Sequence, residues 1–266
     1  MEINRSTYYY KARARNDEGL TAALKKVAWE RRRWGYRRLT LLLRRAGWPD
    51  NHKRIHRVYK ATGLQVQQRK RRKVARWRGA QLATPRRANE RWSMDFVHDS
   101  TARQQRLRVL NIVDDCTREC LCCEVDTSLP GERVTRVLDR IVAWRGLPQN
   151  LLTDNGPEFT GTALDQWAHR HGVTLQFIAA GKPMQNAYIE SFNGKFRDEC
   201  LNEHWFINVP HARAIIERWR QDYNTERPHS SLQYQTPAAF AARCLASPHG
   251  GCGREQATDS SQPDSP

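Results

Sequence analysis

The sequence predicts an α/β domain, a mixed sheet with flanking helices, preceded by a small all-α domain. Three observations support this. Positive charge crowds into the first third: residues 1–90 hold 26 Lys and Arg against 6 Asp and Glu, residues 91–266 hold 19 against 22, and the 266-residue chain is +17. Apolar residues recur at helical spacing up to residue 61 and alternate at strand spacing from residue 91. From there the elements run β-β-β-α-β-α-β-α-α, the mixture that buries a sheet between helices.

The elements follow in order. Residues 18–33 line up Leu20, Ala23, Leu24, Val27 and Ala28 on one side of a helix, interrupted at Gly35-Tyr36. Residues 37–46 form a second helix through Leu39, Leu42 and Leu43. Gly47-Trp48-Pro49-Asp50 is a turn, and Asn51 N-caps a third helix, 52–61, ended by Gly63. That helix buries Ile55, Val58 and Tyr59 and carries Lys53, Arg54, Arg57 and Lys60 elsewhere. Helix, tight turn and basic helix make a helix-turn-helix pattern over residues 1–64, with the basic helix suited to a DNA major groove. Residues 65–90 read as a basic linker.

Strands follow at Trp92–His98, Leu107–Asp114 and Glu119–Val125, an antiparallel meander. A helix over 131–145, a short buried strand ending at Asp154, a helix over 161–171 and a strand over 173–178 come next. Pro183 sits in the first turn of a further helix, which buries Ile189, Phe192 and Phe196 and turns Asn186, Glu190, Asn193 and Arg197 the other way. The α/β core spans 91–245, and the Ser-, Pro- and Gly-rich residues 246–266 read as a disordered tail.

The composition excludes some classes. No run of 18 apolar residues marks a transmembrane helix, and the N-terminus lacks the apolar core of a signal peptide. Seven cysteines, an odd number, suit reduced thiols in a cytosol, and Cys120 and Cys122 read as small buried residues of a strand. So basic an N-terminal third points to nucleic acid, bound largely through phosphates.

Three acids carry the chemical signal. Asp95 lies between Met94 and Phe96, where an unpaired carboxylate is costly. Asp154 ends a strand ahead of Asn-Gly-Pro, and after 35 intervening residues Glu190 lies on the polar face of its helix. Two aspartates from strands and a glutamate from a helix can converge on a divalent cation, which prefers oxygen ligands. Asp114 and Asp115 at the end of the second strand are rival acids that can lie near such a site, and Glu158, four residues after Asp154, reads as a turn residue beside it; Asp95 is preferred.

The segments Trp92-Ser-Met-Asp-Phe-Val-His-Asp99, Thr153-Asp-Asn-Gly-Pro-Glu-Phe159, Gly181-Lys-Pro-Met-Gln-Asn-Ala-Tyr-Ile-Glu-Ser-Phe-Asn-Gly194 and Tyr223-Asn-Thr-Glu-Arg-Pro-His-Ser-Ser-Leu232 resemble the integrase core of bacterial insertion-sequence transposases. The nearest resemblance is to the second-reading-frame product (OrfB) of the insertion-sequence-three family, over about residues 20–242. Trp34-Gly-Tyr-Arg-Arg38 and Asn51-His-Lys-Arg54 match its helix-turn-helix. The resemblance implies a ribonuclease-H-like fold and places Asp95, Asp154 and Glu190 on the family's catalytic, metal-holding positions. It implies two Mg²⁺ ions, with Mn²⁺ as substitute, and DNA cleavage and strand transfer at insertion-sequence ends. It also implies an upstream-frame product (OrfA) as fusion or partner, a homo-oligomer on DNA, and a cytoplasmic, nucleoid-associated bacterial setting.

Arg37, Arg38, Lys53, Arg54, Arg57, Lys182, Lys195 and Arg197 are candidate phosphate contacts, and Gln185 and Asn186 candidate contacts to a DNA end or helix caps. His229 is a family feature with no role legible in the sequence. Ala180 stands where the family usually has proline. A DNA-binding regulator of transposition without catalysis is the alternative. A retroviral-type integrase, with its His-His-Cys-Cys zinc module, is set aside because residues 1–115 contain no cysteine.

Overall fold

The computed structural model describes residues 16–66, 83–178 and 186–246, which divide into two units at about residue 75. In the first unit, α1 (Glu18–Glu30), α2 (Tyr36–Arg45) and α3 (His52–Ala61) enclose Leu20, Leu24, Trp34, Leu39, Leu43, Ile55, Val58 and Tyr59. Helix α1 stops three residues before the expected end, where Arg31–Arg33 form a turn. Asn51 caps α3 as expected, its side chain accepting the Lys53 N–H at 2.9 Å.

The second unit is built on a five-stranded sheet in the order β3-β2-β1-β4-β5: β1 (Arg91–Ser100), β2 (Arg106–Asp114), β3 (Cys120–Asp126), β4 (Asn150–Thr153) and β5 (Thr174–Phe177). The first three strands form the expected antiparallel meander, and β4 and β5 add parallel to β1, making the sheet mixed. Alternation along the strands serves two cores. One face sends Trp92, Met94, Leu110 and Ile112 against α4 (Gly131–Arg145) and α5 (Thr162–His171). The other sends Val97, Val109, Val113 and Cys120 against α6 (Ala187–Glu199) and α7 (Val209–Thr225).

Several features depart from the sequence reading. An eighth helix, α8 (Pro237–Ala246), follows α7; its Phe240 and Cys244 pack with Cys116 and Leu232. Residues 83–90, read as linker, are tied to the second unit: the Asn89 side chain donates to the Arg145 carbonyl at 2.9 Å, and Ala83 accepts from Arg91. The rest of that stretch, 67–82, and the tail after 246 lie outside the described residues, as does Pro183; the described part of the glutamate helix begins at Ala187. Cys116, Cys120, Cys122, Cys123 and Cys200 are free thiols, but Cys244 is disulfide-bonded, against the expectation of reduced cysteines throughout. Among the described residues no helix is long and apolar enough to cross a membrane.

Candidate active site

The parallel β1–β4 ladder pairs Ser93 with Leu152, and Asp95 and Asp154 each stand two residues further along. Asp95 is thus inside β1, opposite Asn111 of β2, while Asp154 is the first residue past β4. Over this edge lies α6, which buries Ile189, Phe192 and Phe196 and leaves Glu190 exposed, as its apolar spacing requires. Asp95 senses both other acids. Its carboxyl is pushed up to about 6, first by burial and then by the negative charges of Asp154 and Glu190, while the Phe96 N–H and the Asn193 amide pull it down.

Among the described residues no arginine or lysine is paired with any of the three. An all-oxygen donor set with uncompensated negative charge suits a hard divalent cation. The fit is one of chemistry rather than finished geometry. Among the described residues no three Asp, Glu, His or Cys side chains are gathered closely enough to hold an ion.

The local backbone explains how Asp154 is presented. Its Oδ1 accepts the Gly156 N–H at 3.0 Å, closing a tight turn. A Cβ on Gly156 would stand 3.0 Å from that oxygen and 3.4 Å from Glu158 Oε2, so any larger residue would crowd the Asp154 carboxylate. Glu158 is committed elsewhere. Arg108 donates to it at 2.5 Å and holds its carboxyl below the usual range. The same guanidinium lies 4.3 Å over Phe96, which stacks on Phe159 at 4.9 Å.

Asp114 and Asp115 are fully buried and fully engaged, which removes them as rivals. Asp114 accepts the backbone N–H groups of Cys116, Thr117 and Asn89 and pairs with Arg145 at 3.4 Å. Asp115 accepts from Arg91 Nε at 2.6 Å and from the Ser93 hydroxyl at 2.7 Å.

The residues read as DNA contacts divide. Lys53 is exposed on α3. Arg54 spends its guanidinium on Asp17, Asp50 and the Asn16 carbonyl, and Arg57 donates to Asp17 at 2.6 Å. Those two arginines hold the carboxyl of Asp17 below its usual range and staple α1 to α3. Arg37 is exposed and donates to the Tyr36 hydroxyl at 3.4 Å; Arg38 is half-buried. Lys195 donates to Ser191 and Arg197 to the His98 carbonyl. Asn186 is buried and makes no capping hydrogen bond, so the cap alternative fails. Lys182, Gln185 and Ala180 lie outside the described residues.

Three roles escaped the sequence reading. Asn193 Nδ2 donates to Asp95 Oδ2 at 2.6 Å, and Asn111 Nδ2 donates to Asn193 Oδ1 at 2.8 Å. The segment 223–232 is a brace. Buried Arg227 grips Glu199 at the end of α6 through two hydrogen bonds, of 2.7 and 2.5 Å. Asn224 holds both backbone groups of Cys120, and His229 packs edge-on against Tyr223 at 4.7 Å. His229 thereby acquires a packing role.

Comparison with known proteins bears on all of this. Two integrase core domain models match residues 85–183 and 171–237, and an HTH-like domain model matches 14–72. A 31.7 kDa protein of insertion element IS407 from Burkholderia multivorans is 53% identical over 91% of this chain and 87% of its own length. A putative transposase, InsK, of insertion sequence IS150 from Escherichia coli is 26% identical over 90% of each chain. Among solved structures, a simian T-cell lymphotropic virus intasome in complex with a PP2A regulatory subunit superposes with a TM-score of 0.51 at 15% identity, covering 81% of this chain and 73% of that one. The likeness extends to the fold, a ribonuclease-H-like sheet with flanking helices.

Proposed function

Because the chain belongs to the OrfB-type transposases of the insertion-sequence-three family, we propose that it cleaves DNA at insertion-sequence ends and joins the freed ends to a target. Asp95, Asp154 and Glu190 are its catalytic carboxylates. The observation that supports this reading is the charge around Asp95, whose carboxyl feels the negative charges of both Asp154 and Glu190, with no arginine or lysine paired to the three among the described residues.

In this reading the three carboxylates hold divalent cations, two Mg²⁺ or Mn²⁺ in their place. When bound, these activate the attacking hydroxyl and stabilise the leaving oxygen. The protein's own part is positional. Asp95 is fixed by the Phe96 N–H and the Asn193 amide, Asp154 by the Gly156 turn, and Glu190 by the packed face of α6. Water cleaves one strand at an element end and leaves a 3′-hydroxyl. That hydroxyl then attacks a target phosphodiester, forming one P–O bond as another breaks, with no external energy source. No side chain becomes bonded to DNA. Arg37, Arg38 and Lys53 in the first unit, and Lys195 and Arg197 on α6, hold phosphates. The enzyme works as an oligomer on paired ends, with the upstream-frame product as fusion or partner.

The test is incubation with labelled element-end DNA and Mg²⁺. Glu190→Gln is expected to lower cleavage by roughly 10³-fold, equivalent to several kcal/mol of charge stabilisation, with DNA affinity unchanged. Wild-type protein that binds the ends but never cuts or joins them, even with the upstream-frame product supplied, would instead identify a regulator of transposition.

A further inference from the structure

The helix carrying Glu190 and the strand carrying Asp95 are joined by a chain of side-chain amides. Asn111 on β2 is fully buried and donates from Nδ2 to Asn193 Oδ1 at 2.8 Å. Asn193 donates from Nδ2 to Asp95 Oδ2 at 2.6 Å, and the other Asp95 oxygen accepts the Phe96 N–H at 2.8 Å. The direction of this chain is forced from its acidic end. An ionised carboxylate only accepts, so Asn193 must turn its NH₂ to Asp95 and its carbonyl to Asn111, and Asn111 must donate. The far end bears the cost, since Asn111 Oδ1 is buried with no hydrogen-bond partner. A buried orphan acceptor of this kind costs stability and calls for an explanation.

We propose that Asn111 and Asn193 form a polarised amide relay that orients the Asp95 carboxylate, and with it the helix bearing Glu190, for binding a divalent cation. Both are positioning residues, and the proposal rests on the reading of Asp95 as a ligand. Asn193 lies three residues after Glu190, so the bond that fixes the Asp95 rotamer also sets how α6 stands over the sheet. Hydrogen-bonding partners of ligating carboxylates tune a site almost as strongly as the ligands do.

The relay has a polarity, and a mere packing role does not. Asn111→Asp keeps the shape but offers Asn193 only acceptors. The Asn193 amide then turns its NH₂ to position 111 and its carbonyl to Asp95, where it repels the carboxylate. Asn111→Leu removes the donor and leaves Asn193 able to hold Asp95.

The experiment measures Mn²⁺ binding to the full chain by calorimetry, with metal-free thermal melting as the check on folding. Asn193→Ala is expected to weaken Mn²⁺ binding by about 10–100-fold, Asn111→Asp by a similar factor and Asn111→Leu by less than about threefold. Half-saturating Mg²⁺ for strand cleavage should rise in the same order. Equal losses in Asn111→Asp and Asn111→Leu, or wild-type binding by Asn193→Ala, would overturn the relay. If Asn111→Asp fails to fold, Asn193→Ala decides alone. Asp95→Asn separates the two readings. If it loses Mn²⁺ while Asn193→Ala retains it, only the relay falls. If Asp95→Asn, or a wild type without Mn²⁺ binding, shows no role for Asp95, both fall.

Discussion

The Asp114–Asp115 pair and Asp95 sit a few residues apart along the β1–β2 ladder and live in opposite circumstances. Asp114 and Asp115, at the end of β2, are wholly buried, and each oxygen has a partner: Arg145, Arg91, Ser93 or a backbone N–H. Asp95, in mid-β1, faces two further acids and receives only an amide and one N–H. The first group is neutralised inside the fold and has nothing left to bind. The second keeps unbalanced negative charge, which opposes folding and, in the proposed reading, is what a divalent cation would neutralise. Acids that hold a fold together and acids that work are therefore told apart here by their partners rather than by burial alone.

The largest expected effect breaks the first group. Asp115→Ala leaves Arg91 buried and unpaired and should cost about 3–5 kcal/mol in urea unfolding. Asp95→Asn should leave metal-free stability unchanged or raise it. Equal destabilisation by both would erase the contrast.

A smaller effect sharpens it through pH. The Asp95 carboxyl titrates near 6 in the fold, against 3.8 ordinarily, so the folded chain binds the extra proton between those values. Its contribution to metal-free stability is therefore greatest below about pH 4 and is lost as pH rises through about 6, on the order of 3 kcal/mol. Melting curves from pH 4 to 7 without divalent ions should show that loss in wild type and a flatter course in Asp95→Asn.

The smallest effect carries the same contrast into the first unit. Lys53 is exposed, whereas Arg54 has three acceptors. Lys53→Ala should weaken DNA binding uniformly and reduce the slope of log affinity against log salt by about 1, with little change in melting. Arg54→Ala should lower the melting temperature of the first unit more than it alters that slope. The reverse pattern would return Arg54 to the DNA surface.

Much of this was legible before the structure. Alternation over 92–98 and 107–114 marked strands within a residue or two, because apolar residues recur at every second position along much of each. Helices 52–61 and 131–145 were legible to the residue from their periodicity and capping signals. The acids were legible as types at a spacing, and the family resemblance favoured Asp95 over Asp114 or Asp115, but the engagement of those two inside the fold was not legible. It depends on Arg91 and Arg145, which arrive from other elements. The Asn111–Asn193 bond spans 82 residues and the Arg227–Glu199 pair 28, separations over which periodicity carries no signal. Helix α8 was missed because its alanine-rich turn, following Thr-Pro, blends into the polar tail.

The grip of Arg227 on Glu199 also sets an order of events during synthesis. Glu190 emerges well before Arg227, and at about 5–20 residues per second the interval between them is roughly 2–7 s. Until Arg227 arrives, the far end of α6 lacks this pair of hydrogen bonds. A chain still lacking Arg227 has therefore already made Glu190 but not the residue that grips the end of its helix.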